Sequence, residues 1–183
     1  LRGFFYAQDG HSFYILTHPE ICLAYDITTS QWHRRESGIA SRYRPNWIAQ
    51  YGTLVLAGDY TNGKIYKINA DSYRDNATET TWSFTLSAVH NEMKALLHDL
   101  LEIKIDAGTG PGDPQLWMQY SDDDGHTWSH EKWRSLGKVG EFERRVRWYA
   151  LGRSRRRIYK IGGSSNSKRN IIAARLEARP LGF

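Results

Sequence analysis

The sequence predicts an all-β protein, with two β-propeller-like blades over residues 1–80 followed by an antiparallel β-sandwich-like domain over residues 81–183. Three observations carry that expectation. Aromatic residues make up 13 % of the chain, with 7 Trp and 11 Tyr against only 2 Met, a balance that suits pleated, half-buried strands better than helix bundles. A pattern in the amino half recurs after about 40 residues, the period of a propeller blade. The carboxy half is a succession of short alternating segments separated by turn residues, as in a sandwich. A chain of 183 residues is long enough for one ordinary domain or two small ones with a sizeable core.

The repeat lies in "FYAQDGHSFYILT" from Phe5 and "WIAQYGTLVLAG" from Trp47. Both have an aromatic residue, Ala-Gln, a glycine-bearing turn and an apolar second strand. "LAYDITTSQW" and "KIYKINADSY" follow them, each a tyrosine strand that meets a polar turn and then an aromatic residue. About four short strands per unit is the build of a blade, and Gly10, Gly52 and Gly63 suit the turns. Two blades cannot close a ring, so the remaining blades are expected before Leu1 and the chain is expected to be a carboxy-terminal fragment. Two ordinary β-meanders are the alternative.

The polar connector "RDNATETT" ends this half. Beyond it the signals mix. Val89, Met93, Leu96, Leu97 and Leu100 fit one helix face, whereas Leu101, Ile103 and Ile105 alternate with charged residues, so a strand is expected over Leu100 to Asp106 and the stretch before it stays open. "GTGPGDP" reads as a loop. "QLWMQYS", "HTWSHEKWRSL", "RRVRWYAL", "RRIYKIG" and "RNIIAARLEA" are the strand candidates that follow.

A net charge of +5 and a pI near 9.3 favour an acidic protein face or a polyanion as partner. Cys22 is the only cysteine, which excludes an intramolecular disulfide and reads as an inert buried thiol. No apolar run approaches the roughly 18 residues of a membrane-spanning helix.

Ser121 to Trp133, "SDDDGHTWSHEKW", gathers the densest polar chemistry. Asp122, Asp124, Gly125 and Glu131 fall at four positions of a calcium loop, but Tyr120 stands where the first ligand belongs, and both flanks are strand-like. His126 and His130 have no third ligand in view for zinc. Neighbouring carboxylates on a tight turn point different ways, and no nucleophile motif or phosphate-binding glycine loop is present. The residues therefore name no catalytic group, no metal site and no cofactor. Ser121, Asp123, Gly125, Thr127 and Trp128 instead follow the pattern Ser-x-Asp-x-Gly-x-Thr-Trp, which resembles the Asp-box of sialidases and related propellers. That resemblance implies a structural turn with Asp122 and Asp124 facing solvent, because short polar side chains bond nearby backbone and glycine permits positive φ.

Downstream, eight basic residues and no acid lie between Arg144 and Lys160. In "RVRW" a strand would bury Val146 and Trp148 while displaying Arg145 and Arg147. The next strand would offer Ile158 in the same manner, with "LGRSRRR" as the turn between them and a cationic edge as the result. A solvated face that discourages edge-to-edge aggregation is the competing reading. Sequence-specific nucleic-acid recognition is not expected, since no reading motif accompanies the charge.

The run from Gln115 to Ile161 looks like the carboxy-terminal region of the phage stabilisation protein family, the tail accessory or packaged-DNA stabilisation proteins of short-tailed bacteriophages. "SDDDGHTWS", "GKVGEF", "RVRW" and "LGRSR" followed by a basic-apolar strand carry the resemblance in that order. Asp124 departs from it where many relatives are expected to have glycine. The resemblance implies a non-enzymatic structural role in the virion. Copies would form a homo-oligomeric ring below the portal, extend the tail tube and help retain packaged DNA, after assembly in the bacterial host cytoplasm. Portal, adaptor and other tail proteins are the partners it implies, with DNA nearby. Arg145, Arg147, Arg155 and Arg157 are the candidate contacts. A glycan-binding or glycan-cleaving, sialidase-like propeller is the alternative.

Overall fold

Among the described residues, short segments that alternate apolar with polar residues, broken by Gly, Asp and Ser, fold as seventeen strands, with no helix. The computed structural model describes residues 1–38, 42–92, 94–106, 108, 112–165, 167 and 170–181. They form two compact units, Leu1–Thr80 and Thr81–Phe183.

In the first unit β1 (Arg2–Gln8), β2 (His11–Thr17), β3 (Cys22–Asp26) and β4 (Gln31–Arg34) make one antiparallel meander in chain order. Asp9 and Gly10 turn between β1 and β2 with φ of 51° and 80°, the two positive angles of a tight type I′ hairpin. A second meander follows, of β5 (Pro45–Tyr51), β6 (Leu54–Asp59) and β7 (Ile65–Ile68), and then the short hairpin of β8 (Arg74–Asp75) and β9 (Thr78–Glu79). It has three strands where the repeat led us to expect four. The polar residues from Asn69 to Tyr73 offer no alternating apolar side chain with which a fourth strand could pack. Tyr6, Ile15, Cys22, Ala24 and Val55 form the buried core, and burial pushes the Cys22 thiol up.

The second unit contains β10 (Thr81–Thr85), β11 (Val89–His90), β12 (Leu96–Asp106), β13 (Gln115–Ser121), β14 (Lys132–Ser135), β15 (Arg144–Ser154), β16 (Arg156–Ser164) and β17 (Asn170–Pro180). One sheet runs β10-β16-β13-β14, with β11 also on β16, and the other runs β15-β12-β17. Their inner faces meet over Leu101, Ile103, Ile105, Leu116, Met118, Val146, Trp148, Tyr159 and Ile161, the arrangement of a β-sandwich.

β12 starts four residues earlier than the alternation suggested. The reason is a bulge between His98 and Leu100, opposite which Ala150 adopts a φ of 52°. Leu96 and His98 face inward before it, and Leu101, Ile103 and Ile105 after it. A parity change inside one strand mimics helical spacing. Met93, part of that helix-like pattern, and most of the "GTG" loop lie outside the described residues.

β15 and β16 do not form a hairpin. They belong to different sheets, so the chain crosses from one layer of the sandwich to the other at Arg155. The "LGRSRRR" segment is therefore strand on both sides of one residue rather than a turn.

Candidate functional site: the aspartate turn and the arginine strands

β13 and β14 pair from Gln115 to Met118, and the aspartate segment closes the end of this hairpin. The Ser121 hydroxyl donates to Asp123 at 2.7 Å and accepts the Gly125 N–H at 2.8 Å. Asp123 in turn accepts the Thr127 N–H at 2.8 Å and the Thr127 hydroxyl at 2.5 Å. Hydrogen bonds from Thr127 and then Ser121 hold its carboxyl far below the usual carboxylate range. The chain reverses through Asp124 and Gly125, whose φ angles are 59° and 93°, and a Cβ on Gly125 would touch the Trp128 ring at 3.7 Å. Ser121, Asp123, Gly125, Thr127 and Trp128 thus come together in one turn.

The flanking aspartates are exposed, as expected, but each is also bound to an arginine. Asp122 makes two hydrogen bonds to the Arg157 guanidinium, at 2.6 and 2.7 Å, and Asp124 pairs with Arg156. Antiparallel register decides this, because Ser121 lies opposite Ile158 and the next residues on each chain therefore meet. Three consecutive acids hold three different things: Arg157, the turn itself, and Arg156.

Arg157 is the largest departure from the sequence reading. Its side chain is 2 % exposed, so it is a structural residue, not a contact available to a partner. Besides Asp122, its guanidinium donates to the Leu151 carbonyl at 2.5 Å and lies 4.0 Å from the centroid of the Tyr120 ring. The parity of β16 is the cause. Arg157, Tyr159 and Ile161 point into the sandwich, and Ile158 does not. A second polar group, of three side chains, lies nearby. The Tyr159 hydroxyl is 2.9 Å from His98 Nδ1, and His98 Nε2 is 2.8 Å from the Ser154 hydroxyl. Burial pushes Tyr159 up to about 12 and, with Arg157 beside it, lowers His98. Nothing in the sequence marked His98, since a lone histidine in an apolar run is indistinguishable from a surface one.

The other three arginines are exposed but dispersed. Val146 and Trp148 are buried and Arg145 and Arg147 displayed along β15, as the alternation requires. Arg147 is bound to Glu102 of β12, whose carboxyl this contact lowers. Arg145 lies opposite Lys104, two like charges across a strand pair, with Lys104 reaching Glu143 at 3.1 Å. Arg155 stands at the crossing between the sheets, exposed. The single cationic edge expected from the sequence is not formed, because the two basic strands lie in different layers.

Among the described residues, no group of three or more His, Cys, Asp and Glu side chains is placed to hold a metal ion. Nor, among the described residues, is any helix long and apolar enough to cross a membrane. What the arrangement does provide is a packed two-sheet sandwich that displays separated cations on one sheet and at one corner.

Among curated proteins none matches the chain. A family model described as bacteriophage P22 Gp10, beta-sandwich, matches residues 81–179, the extent of the two-layer unit. That match takes in more than half of the sequence, and the chain belongs to the bacteriophage P22 Gp10 β-sandwich family, a phage tail-related family.

Proposed function

We propose that this protein is a non-enzymatic structural component of a phage tail that assembles at the portal vertex, extends the tail tube and helps retain packaged DNA. The family match over the whole sandwich is the observation that carries this reading. Copies arranged as a ring would multiply individually weak contacts into a seal. Arg145 and Arg155, exposed on the sandwich, would meet acidic faces of portal, adaptor or neighbouring subunits, or the DNA that passes them.

In the same reading the two meanders of the first unit are blades of a larger propeller. Their first strands lie side by side, with Arg2 bonded to the Asn46 side chain at 2.8 Å and the Ala7 N–H to the Gln50 side chain at 3.1 Å. Neighbouring blades meet in this way through their corresponding strands.

Co-sedimentation of the chain with DNA-filled, tailless heads over a salt series tests the proposal. Stoichiometric, salt-sensitive binding is expected. Absence of binding together with hydrolysis of a sialoside panel would replace the structural role with a glycosidase.

A further inference from the structure

β17 is an edge strand of eleven residues, paired on one side with β12 and on the other with no described strand. Long free edges are templates for pairing with another chain unless charge, proline, a kink or a cover blunts them. β15, equally long at the opposite edge of the sheet, is blunted in two ways. It is kinked at Ala150 and Gly152, with φ of 52° and 81°, and the Arg134 side chain donates to its Arg147 carbonyl. β17 is bulged at Ile172 and ends on Pro180, but the stretch between them, Ala173 to Arg179, has no positive φ, and Ala173, Ala174 and Ala178 are exposed.

The order of residues along β17 is self-complementary. In an antiparallel pair of two β17 strands with Leu176 facing Leu176, Arg175 lies opposite Glu177 of the second copy, and Glu177 opposite its Arg175. Ala174 then faces Ala178 on the other side of the sheet. Arg175 and Glu177 share a face by strand alternation; they already contact one another within the strand at 2.7 Å, 67 % and 44 % exposed. Opposite charges directly across a strand pair stabilise it, and like charges oppose it.

We propose that β17 is a self-association edge, which joins two copies of this chain antiparallel about a two-fold axis at Leu176 and continues the β15-β12-β17 sheet into its counterpart. The contact uses the same surface on both copies and closes on itself. It goes beyond the tail assignment: a ring needs a separate head-to-tail surface, and head binding stands or falls independently. A single pair of strands is a small contact, so the dimer is weak and concentration-dependent.

Sedimentation equilibrium of the chain at low salt, over a concentration series, reads it out. A reversible monomer–dimer equilibrium is expected. Arg175→Glu and Glu177→Arg each place like charges opposite one another twice, and each weakens the dimer by roughly tenfold or more. The double variant R175E/E177R restores opposite charges at both places and returns the affinity to near the original. Ala178→Glu, at an exposed position, gives a second disruption should a single swap fail to fold. A chain that stays monomeric throughout, a dimer indifferent to the swaps, or a double variant no better than the singles overturns the proposal. So does protection of the outward β17 amides from hydrogen exchange only on filled heads, which would give the edge to another virion protein.

Discussion

The Asp122 carboxylate holds the Arg157 guanidinium with two parallel hydrogen bonds, at 2.6 and 2.7 Å, and Arg157 is 2 % exposed whereas Asp122 is 43 % exposed. An acid at the tip of one strand therefore neutralises a cation sealed inside the sandwich. This asymmetry separates residues that hold the fold from residues that can meet a partner.

The three consecutive aspartates should differ in their effects. Asp122→Asn leaves a buried guanidinium without its counter-charge, an expected loss of roughly 2 kcal/mol in urea unfolding. Asp124→Ala removes an exposed pair and should change stability by no more than about 0.5 kcal/mol. Asp123→Ala unties Thr127 and Ser121 and should lower the Tm measurably. An unchanged Tm would remove the structural role of that side chain.

Stability should fall as pH drops below the ordinary range of histidine. Burial, then Arg157, lowers His98 from its usual 6.5, so the unfolded chain takes up a proton that the folded chain refuses. The stabilisation is complete above about pH 6.5 and is lost as the pH falls towards the lowered folded value. His98→Gln should flatten the slope of unfolding free energy between about pH 7.5 and about pH 5.5. An unaltered slope would show that His98 does not titrate on unfolding.

Two glycines lie beneath tryptophans and should respond differently to an added methyl group. A Cβ at Gly162 would come within 2.2 Å of the Trp117 ring and 2.6 Å of the Trp82 carbonyl, and backbone cannot yield. Gly162→Ala should cost about 3 kcal/mol. At Gly58 the three nearest atoms all belong to the Trp47 ring, which is 40 % exposed and free to swing outward, so Gly58→Ala should cost about 1 kcal/mol. Equal losses in chemical denaturation would rule out this account.

Arginine substitutions should sort into two groups. Arg145→Glu and Arg155→Glu should keep the Tm and weaken co-sedimentation with filled heads by roughly three- to tenfold, most at low salt. Arg157→Glu should lower the Tm sharply through two acids facing one another. Loss of head binding by a well-folded Arg157 variant, with the other two unaffected, would reverse the assignment.

Much of this was legible in the sequence because it is local. Alternation fixed which of Arg145, Val146, Arg147 and Trp148 are buried, since a strand has no other period. The Ser121 to Trp128 turn follows from short polar side chains bonding their own backbone. The two hairpins led by Phe5 and Trp47 announce themselves through their turn glycines. The start of β12 was hidden, because the bulge beside His98 reverses parity within a single strand.

What only the tertiary structure decided is which layer each strand joins. The sequence by itself determined an all-β chain with a repeated amino half, a strand-rich carboxy half and opposite charges at Asp122–Asp124 and Arg155–Arg157. It did not join those charges, because the register that sets Ser121 against Ile158 is a pairing between residues far apart in the chain. Nor did it show that β15 and β16 part company at Arg155. Strand pairing is settled by burying apolar faces from the whole unit together, so the same arginine motif yields an exposed cation at Arg155 and a buried one at Arg157.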